Sequence, residues 1–92
     1  MNRTELITRV SMETDLPIRD VAAAMTAAFE VIAEQLTAGE TVALPGFGSF
    51  EKRERAARSG RNPQTGETIL IPATQAPAFK AATALKRRVS GA

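Results

Sequence analysis

Five basic side chains, Lys52, Arg53, Arg55, Arg58 and Arg61, fall within Lys52–Gly66 (KRERAARSGRNPQTG), against one acid, Glu54. A guanidinium group presents a planar fork of donors that matches the oxygens of a phosphate. The segment closes on Asn62-Pro63-Gln64-Thr65-Gly66, which has the chemistry of a tight turn. Asn suits the first turn position, Pro fixes φ at the second, and Gly66 can take the positive φ that follows. Almost no large apolar side chain lies between Phe50 and Ile69, so the segment cannot bury much of itself. An extended, arginine-bearing chain folded about such a turn reads as a hairpin arm reaching away from a body. An arm of that kind suits a polyanion such as nucleic acid, the alternative being a solvated loop that happens to be basic.

No other constellation competes as a site. Gly46-Phe47-Gly48 is a glycine pair, but a phosphate-cradling dinucleotide fingerprint needs a third glycine and a following helix, and here a strand follows. A turn between two strands is the plainer reading. Glu30 and Glu34 stand four apart on the polar face of a helix, the usual place for solvated carboxylates. The sequence contains no His and no Cys, which excludes imidazole acid–base chemistry, nucleophilic triads and most transition-metal sites. Nothing supports catalysis, a cofactor or a small-molecule substrate. The absence of Cys fits a reducing compartment.

Charge is strongly polarised along the 92 residues. Residues 1–51 carry three bases and eight acids, net −5, whereas residues 52–92 carry nine bases and two acids, net +7. The electropositive half can steer toward a polyanion while the acidic half stays clear of it. Nine of the twelve bases are Arg, which favours bidentate phosphate contact over diffuse solubilising charge. No apolar run has the length of a membrane span, and the N-terminus does not resemble a signal peptide. The expectation is a soluble intracellular protein.

The elements that must hold the arm follow from periodicity. Asn2 with Glu5 three residues later forms an N-cap, opening a helix over about 3–13 on which Leu6, Ile7 and Val10 share a face. Thr14-Asp15-Leu16-Pro17 breaks it. Ile18, Val21, Ala22, Met25, Ala28, Phe29, Ile32 and Leu36 step by threes and fours, predicting a second helix over about 18–38, closed by Gly39. Val42 and Leu44 then alternate in a short strand, Pro45-Gly46 turns, and Phe50 opens a second strand running into the arm. On that strand Arg53 and Arg55 share a face. The return strand carries Ile69 and Ile71, with Leu70 opposed, and contains Pro72 and Pro77, which confine it to an edge or a bent arm. A third helix is expected over about 82–89, with Lys86, Arg87 and Arg88 opposite Leu85 and Val89. The whole is one α+β domain, 1–92: a helical base (1–38), a β-sheet (40–80) carrying the arm (53–76), and a C-terminal helical segment (81–92).

With residues 53–76 reaching outward, 68 residues remain for the body. A body this small, without disulfides, struggles to enclose its apolar face alone. Burial against a second copy is the economical solution, and a homodimer is expected over a self-sufficient monomer.

At this point the residues resemble a family, the bacterial histone-like HU and integration host factor proteins, over essentially the whole chain. The motifs are Asn2-Arg3-Thr4-Glu5-Leu6-Ile7, Gly46-Phe47-Gly48-Ser49-Phe50 and Arg55-Ala56-Ala57-Arg58. They continue with Gly60-Arg61-Asn62-Pro63-Gln64-Thr65-Gly66-Glu67, Ile71-Pro72-Ala73, Pro77-Ala78-Phe79-Lys80 and Ala84-Leu85-Lys86. The resemblance implies an intertwined homodimer with a helical base, an antiparallel β-saddle and two hairpin arms that embrace double-stranded DNA through the minor groove. It makes Pro63 an intercalating wedge, a role that turn chemistry alone leaves level with that of a plain turn residue. Arg61, Asn62 and Gln64 lie beside it. Arg53, Arg55 and Arg58 line saddle and arm, and Arg3, Lys80 and Lys86 contact flanking phosphates. Two departures stand out. Ala81-Ala82-Thr83 replaces the family's frequent Pro-Gly-Lys, removing one basic side chain near the saddle, and Pro17 stands where a hydroxyl residue usually caps the second helix.

The implied function is a non-enzymatic architectural protein of the bacterial nucleoid that bends and compacts DNA with little regard to sequence, preferring bent, nicked or junction DNA. Within the family the alternative is an integration-host-factor-like subunit of a site-specific heterodimer, and the short stretch after Val89 leans toward HU. A membrane-surface module would need an amphipathic basic helix, whereas the bases here lie mainly on an extended arm.

Overall fold

In the computed structural model, which describes residues 1–91, the three helices and the short first strand form in the expected order, while each limb of the arm is divided into two strands. They are α1 (Arg3–Thr14), α2 (Ile18–Thr37), β1 (Val42–Leu44), β2 (Gly48–Arg55), β3 (Arg58–Arg61), β4 (Thr68–Ile71), β5 (Thr74–Ala81) and α3 (Thr83–Ser90). The class is α+β. The chain divides into two compact units, Met1–Glu34 and Gln35–Ala92.

In the first unit the Asn2 side chain accepts from the Glu5 N–H at 2.9 Å, satisfying one of the free donors at the start of α1. Helix α1 ends on Asp15, which takes a left-handed conformation at φ 58°. Two hydroxyls secure the corner: Ser11 Oγ donates to the Leu16 carbonyl at 2.6 Å, and Thr14 Oγ1 accepts from the Leu16 N–H at 3.3 Å. Pro17 offers no capping side chain, but its carbonyl accepts from the N–H groups of Asp20 and Val21 at 3.0 and 3.1 Å and so starts α2. Val21, 3% exposed, is the one buried large apolar side chain among the described residues. Phe29 and Val31 on the same helix are 46% and 53% exposed.

In the second unit α2 closes as a Schellman motif: the Gly39 N–H donates to the Leu36 carbonyl and the Glu40 N–H to that of Gln35. The Phe47 N–H donates to the Leu44 carbonyl at 2.9 Å and closes the Pro45-Gly46 turn, as the sequence predicts. A three-stranded antiparallel sheet follows in the order β1-β2-β5, with Val42 opposite Phe50 and Phe50 opposite Phe79. Strand β2 opens at Gly48, two residues before the Phe50 expected. Gly and Ser are weak strand formers, but pairing of Gly48 with Ala81 and Ser49 with Lys80 draws them into the ladder. Gly48 also permits a close approach. A Cβ there would lie 2.6 Å from the Lys80 carbonyl oxygen and 2.5 Å from the Phe79 ring. Phe79 stacks obliquely on Phe50 and Phe47, with centroids 5.0 and 5.6 Å apart.

The return limb of the arm is two strands, not the single one expected. Pairing stops at Arg55 opposite Thr74 and resumes at Arg58 opposite Ile71. Pro72 has no N–H to give the ladder, so Ala56-Ala57 and Pro72-Ala73 separate the sheet from a distal two-stranded hairpin, β3-β4. The other proline, Pro77, is accommodated because β5 is an edge strand.

Candidate nucleic-acid interface

Alternation along the sheet sorts its side chains into two chemically distinct faces. One carries Val42, Leu44, Phe50 and Phe79. The other carries Ser49, Glu51, Arg53 and Arg55 from β2 and Thr74, Ala76, Ala78 and Lys80 from β5, with Arg53 opposite Ala76 and Arg55 opposite Thr74. Small side chains lie across from the long basic ones, leaving a low floor from which charged groups project. Lys52 falls on the apolar face, where its Nζ reaches the Thr37 carbonyl at 3.5 Å.

Arg53 and Arg55 share the face as expected, but they are not equivalent. An Arg53 terminal nitrogen lies 2.6 Å from Glu51 Oε1. The spacing of Glu51 and Arg53 in a strand was a readable signal for this pair, since residues two apart share a face, and the sequence reading overlooked it. The pair places one carboxylate within the basic surface.

Beyond the sheet, Arg55 and Arg58 would point to opposite faces of a continuous strand. The interruption at Ala56-Ala57 instead lets both line one depression, with Ile71, Pro72 and Thr74. On the distal hairpin Arg58 shares a face with Ile71 and Gly60, whereas Arg61 lies on the other with Ser59, Thr68 and Leu70. The arginines therefore project to both sides of the arm.

The tip is held by its own polar groups. Asn62 Oδ1 accepts from the Gln64 N–H at 2.9 Å, the Asn62 carbonyl accepts from the Gly66 N–H at 2.7 Å, and the Asn62 N–H donates to the Glu67 carbonyl at 2.8 Å. Gly66 sits at φ 73°, which a side chain would resist. With Asn62 as the anchor, Pro63 and Gln64 are left exposed at the extremity.

Lys80 and Lys86 come together around a second depression, lined also by Ser49, Ala82 and Thr83 at the start of α3. Ala82 provides no side-chain cap to that helix; its N–H instead donates to the Phe47 carbonyl at 2.9 Å and ties α3 to the turn. Arg3 belongs to the first unit. A terminal nitrogen donates to Thr26 Oγ1, and its guanidinium carbon lies 5.5 Å from the centroid of the Phe29 ring. Arg3 thus binds α1 to α2 in addition to any contact it makes outside the chain.

A helical unit, a small sheet with one basic face and a basic two-part hairpin define a DNA-binding class. A family model described as Bacterial DNA-binding protein matches residues 1–90, and the chain belongs to that family. The SPbeta prophage-derived DNA-binding protein HU 2 of Bacillus subtilis is 56% identical over 89 residues, 97% of each chain. DNA-binding protein HU of Streptococcus thermophilus is 59% identical over 88 residues, 96% of this chain and 97% of the relative. An Anabaena HU–DNA cocrystal structure aligns with a TM-score of 0.92 at 44% identity, covering 100% of both chains. HU from Thermotoga maritima aligns at 0.69 and 32%, covering 97% and 98%. The HU resemblance read from the sequence is borne out. Among the described residues no helix is long and apolar enough to cross a membrane.

Proposed function

We propose that this chain is a non-enzymatic architectural protein of the nucleoid that acts as a homodimer, grips double-stranded DNA through the minor groove and bends it. The observation that carries this reading is the run of basic groups along the sheet and the arm. One sheet face bears Arg53, Arg55 and Lys80, Arg55 and Arg58 line one depression where the sheet gives way to the arm, and Arg61 stands two residues from an exposed Pro63. The alignment with an HU–DNA complex over the full chain supports it. Arginine and lysine hold phosphates, which position a protein without reading sequence. At the tip, the rigid apolar ring of Pro63 wedges between base pairs, flanked by Arg61, Asn62 and Gln64.

The dimer follows from exposed apolar surface. Phe29, Phe47 and Phe79 are 46%, 50% and 44% exposed, and a second copy is the partner that buries them in both chains at once. With two arms the assembly clasps the duplex from both sides. Lys80 and Lys86 meet flanking phosphates, and Arg3 joins them with whatever donors its contacts to Thr26 and Phe29 leave free.

Binding of the purified chain to intact, nicked and cruciform DNA of unrelated sequences tests the proposal. Discrimination by shape and not by sequence is expected, because distorted DNA is already partly unstacked. Tight binding to one sequence only, or a requirement for a second kind of subunit, would transfer the chain to the integration-host-factor-like reading.

A further inference from the structure

Leu70 is 76% exposed in the middle of a strand, and no element formed by the described residues covers it. Its neighbours Ile69 and Ile71 turn to the opposite face of the hairpin, where Gly60 leaves room for them; a Cβ on Gly60 would lie 3.0 Å from Ile71 Cδ1. The face that carries Leu70 has Ser59 directly opposite, Arg61 diagonally across and Thr68 two residues away. Ser59 is too short to cover it, so one apolar side chain stands proud of a floor of hydroxyls beside a guanidinium. β3 and β4 contain no acid.

We infer that Leu70 packs against the deoxyribose wall of the minor groove, its face of the distal hairpin meeting one wall of the groove while the face of Arg58 turns to the other. The inference rests on the DNA-binding reading above and assigns a residue and an orientation to it. Groove walls alternate apolar sugar C–H groups with charged phosphates, and this face offers the matching alternation. Leu70 meets the sugars, Arg61 reaches a phosphate, and the hydroxyls of Ser59 and Thr68 bond phosphate or sugar oxygens. Charge complementarity selects this occupant over an apolar protein surface, which would strand Arg61 without a partner. The contact contributes affinity by burying apolar area and releases no counterions, so it is separable from the arginine contacts by its salt dependence.

The test compares Leu70→Thr, Leu70→Met and Arg61→Ala in duplex binding across a salt series, with melting temperature and mass measured in parallel. Thr keeps a good strand former at an exposed site but removes most of the apolar surface. Leu70→Thr is expected to weaken binding about tenfold at every salt concentration, giving a line parallel to that of the parent protein on a log–log plot. Melting temperature and mass stay unchanged, and Leu70→Met retains near-parental affinity. Arg61→Ala is expected to flatten the slope. Undiminished binding by Leu70→Thr while Arg61→Ala behaves as expected would overturn the inference alone, as would a change in mass without a change in binding, which would give Leu70 to contact between copies. Failure of Arg61→Ala and of Arg58→Ala to weaken binding would overturn the DNA reading itself, and Leu70's role with it.

Discussion

The proposed mechanism concentrates at one residue, Pro63. Its ring is compact, apolar and already rigid, so insertion between bases orders little and strands no donor. Unstacking a step costs a few kcal/mol, offset by the extra phosphate contacts a bent duplex allows. Pro63→Ala is expected to leave the melting temperature unchanged while reducing the bend and the preference for nicked DNA, as read by fluorescence energy transfer across an end-labelled duplex. An unaltered bend would return Pro63 to the role of a turn residue. Glu51 works in the opposite sense, as the carboxylate held against Arg53 on the basic face. With Arg53 58% exposed the pair contributes little stability, but on the proposed DNA path it sets a negative charge where phosphates would arrive. Glu51→Gln is therefore expected to tighten duplex binding by about two- to tenfold at low salt, the gain fading as salt screens it. Equal affinities for the two proteins at low salt would show that Arg53 and Glu51 lie off the DNA path.

At the scale of elements the sheet and the arm make different demands. The sheet depends on the close approach at Gly48, where any Cβ meets backbone as well as the Phe79 ring. Gly48→Ala is expected to destabilise the fold by about 1–3 kcal/mol, as overpacking of a tight site does, and a thermal melt several degrees lower would register it. A melt equal to that of the parent would mean that the strands separate there at little cost. Much of this layout is legible in sequence because it is written in short-range signals: the Asn2 cap, the three-and-four spacing of α2, the turn at Pro45-Gly46 and the Asn62–Gly66 tip. What escaped depends on pairing partners. Gly48 and Ser49 join β2 only because Ala81 and Lys80 lie opposite them. The division of the arm was half written in Pro72, but where pairing stops on the outgoing limb depends on which residue faces that proline. The shared depression of Arg55 and Arg58 is a consequence of that stop and could not be read from their spacing of three.

At the scale of the molecule, the proposed dimer and DNA binding both answer surface left unsatisfied within one chain. With Val21 the one buried large apolar residue among those described, the proposed homodimer couples folding to association, and the melting temperature is expected to rise with protein concentration. A concentration-independent melt together with a monomeric mass at micromolar concentration would contradict the homodimer. The proposed DNA-binding surface follows the same logic of unpaired groups, since Arg55, Arg58 and Arg61 have no acidic partner among the ion pairs of the described residues. The nine steps from Arg53 to Asn62 could carry the tip at most about 30 Å along an extended strand, enough for an arm to follow the duplex to a minor groove about 6 Å wide. A dimer offers some ten to fourteen basic groups, and engagement of about half gives a log–log slope of affinity against salt on the order of −5 to −6. That slope is the most direct measure of the central claim, taken on several unrelated duplexes with the parent chain and with the Arg55→Ala, Arg58→Ala double variant. A steep slope common to all sequences, flattened alike for all of them in the variant, is the predicted result. A shallow slope, or a loss confined to one sequence, would contradict a protein that holds DNA by its backbone.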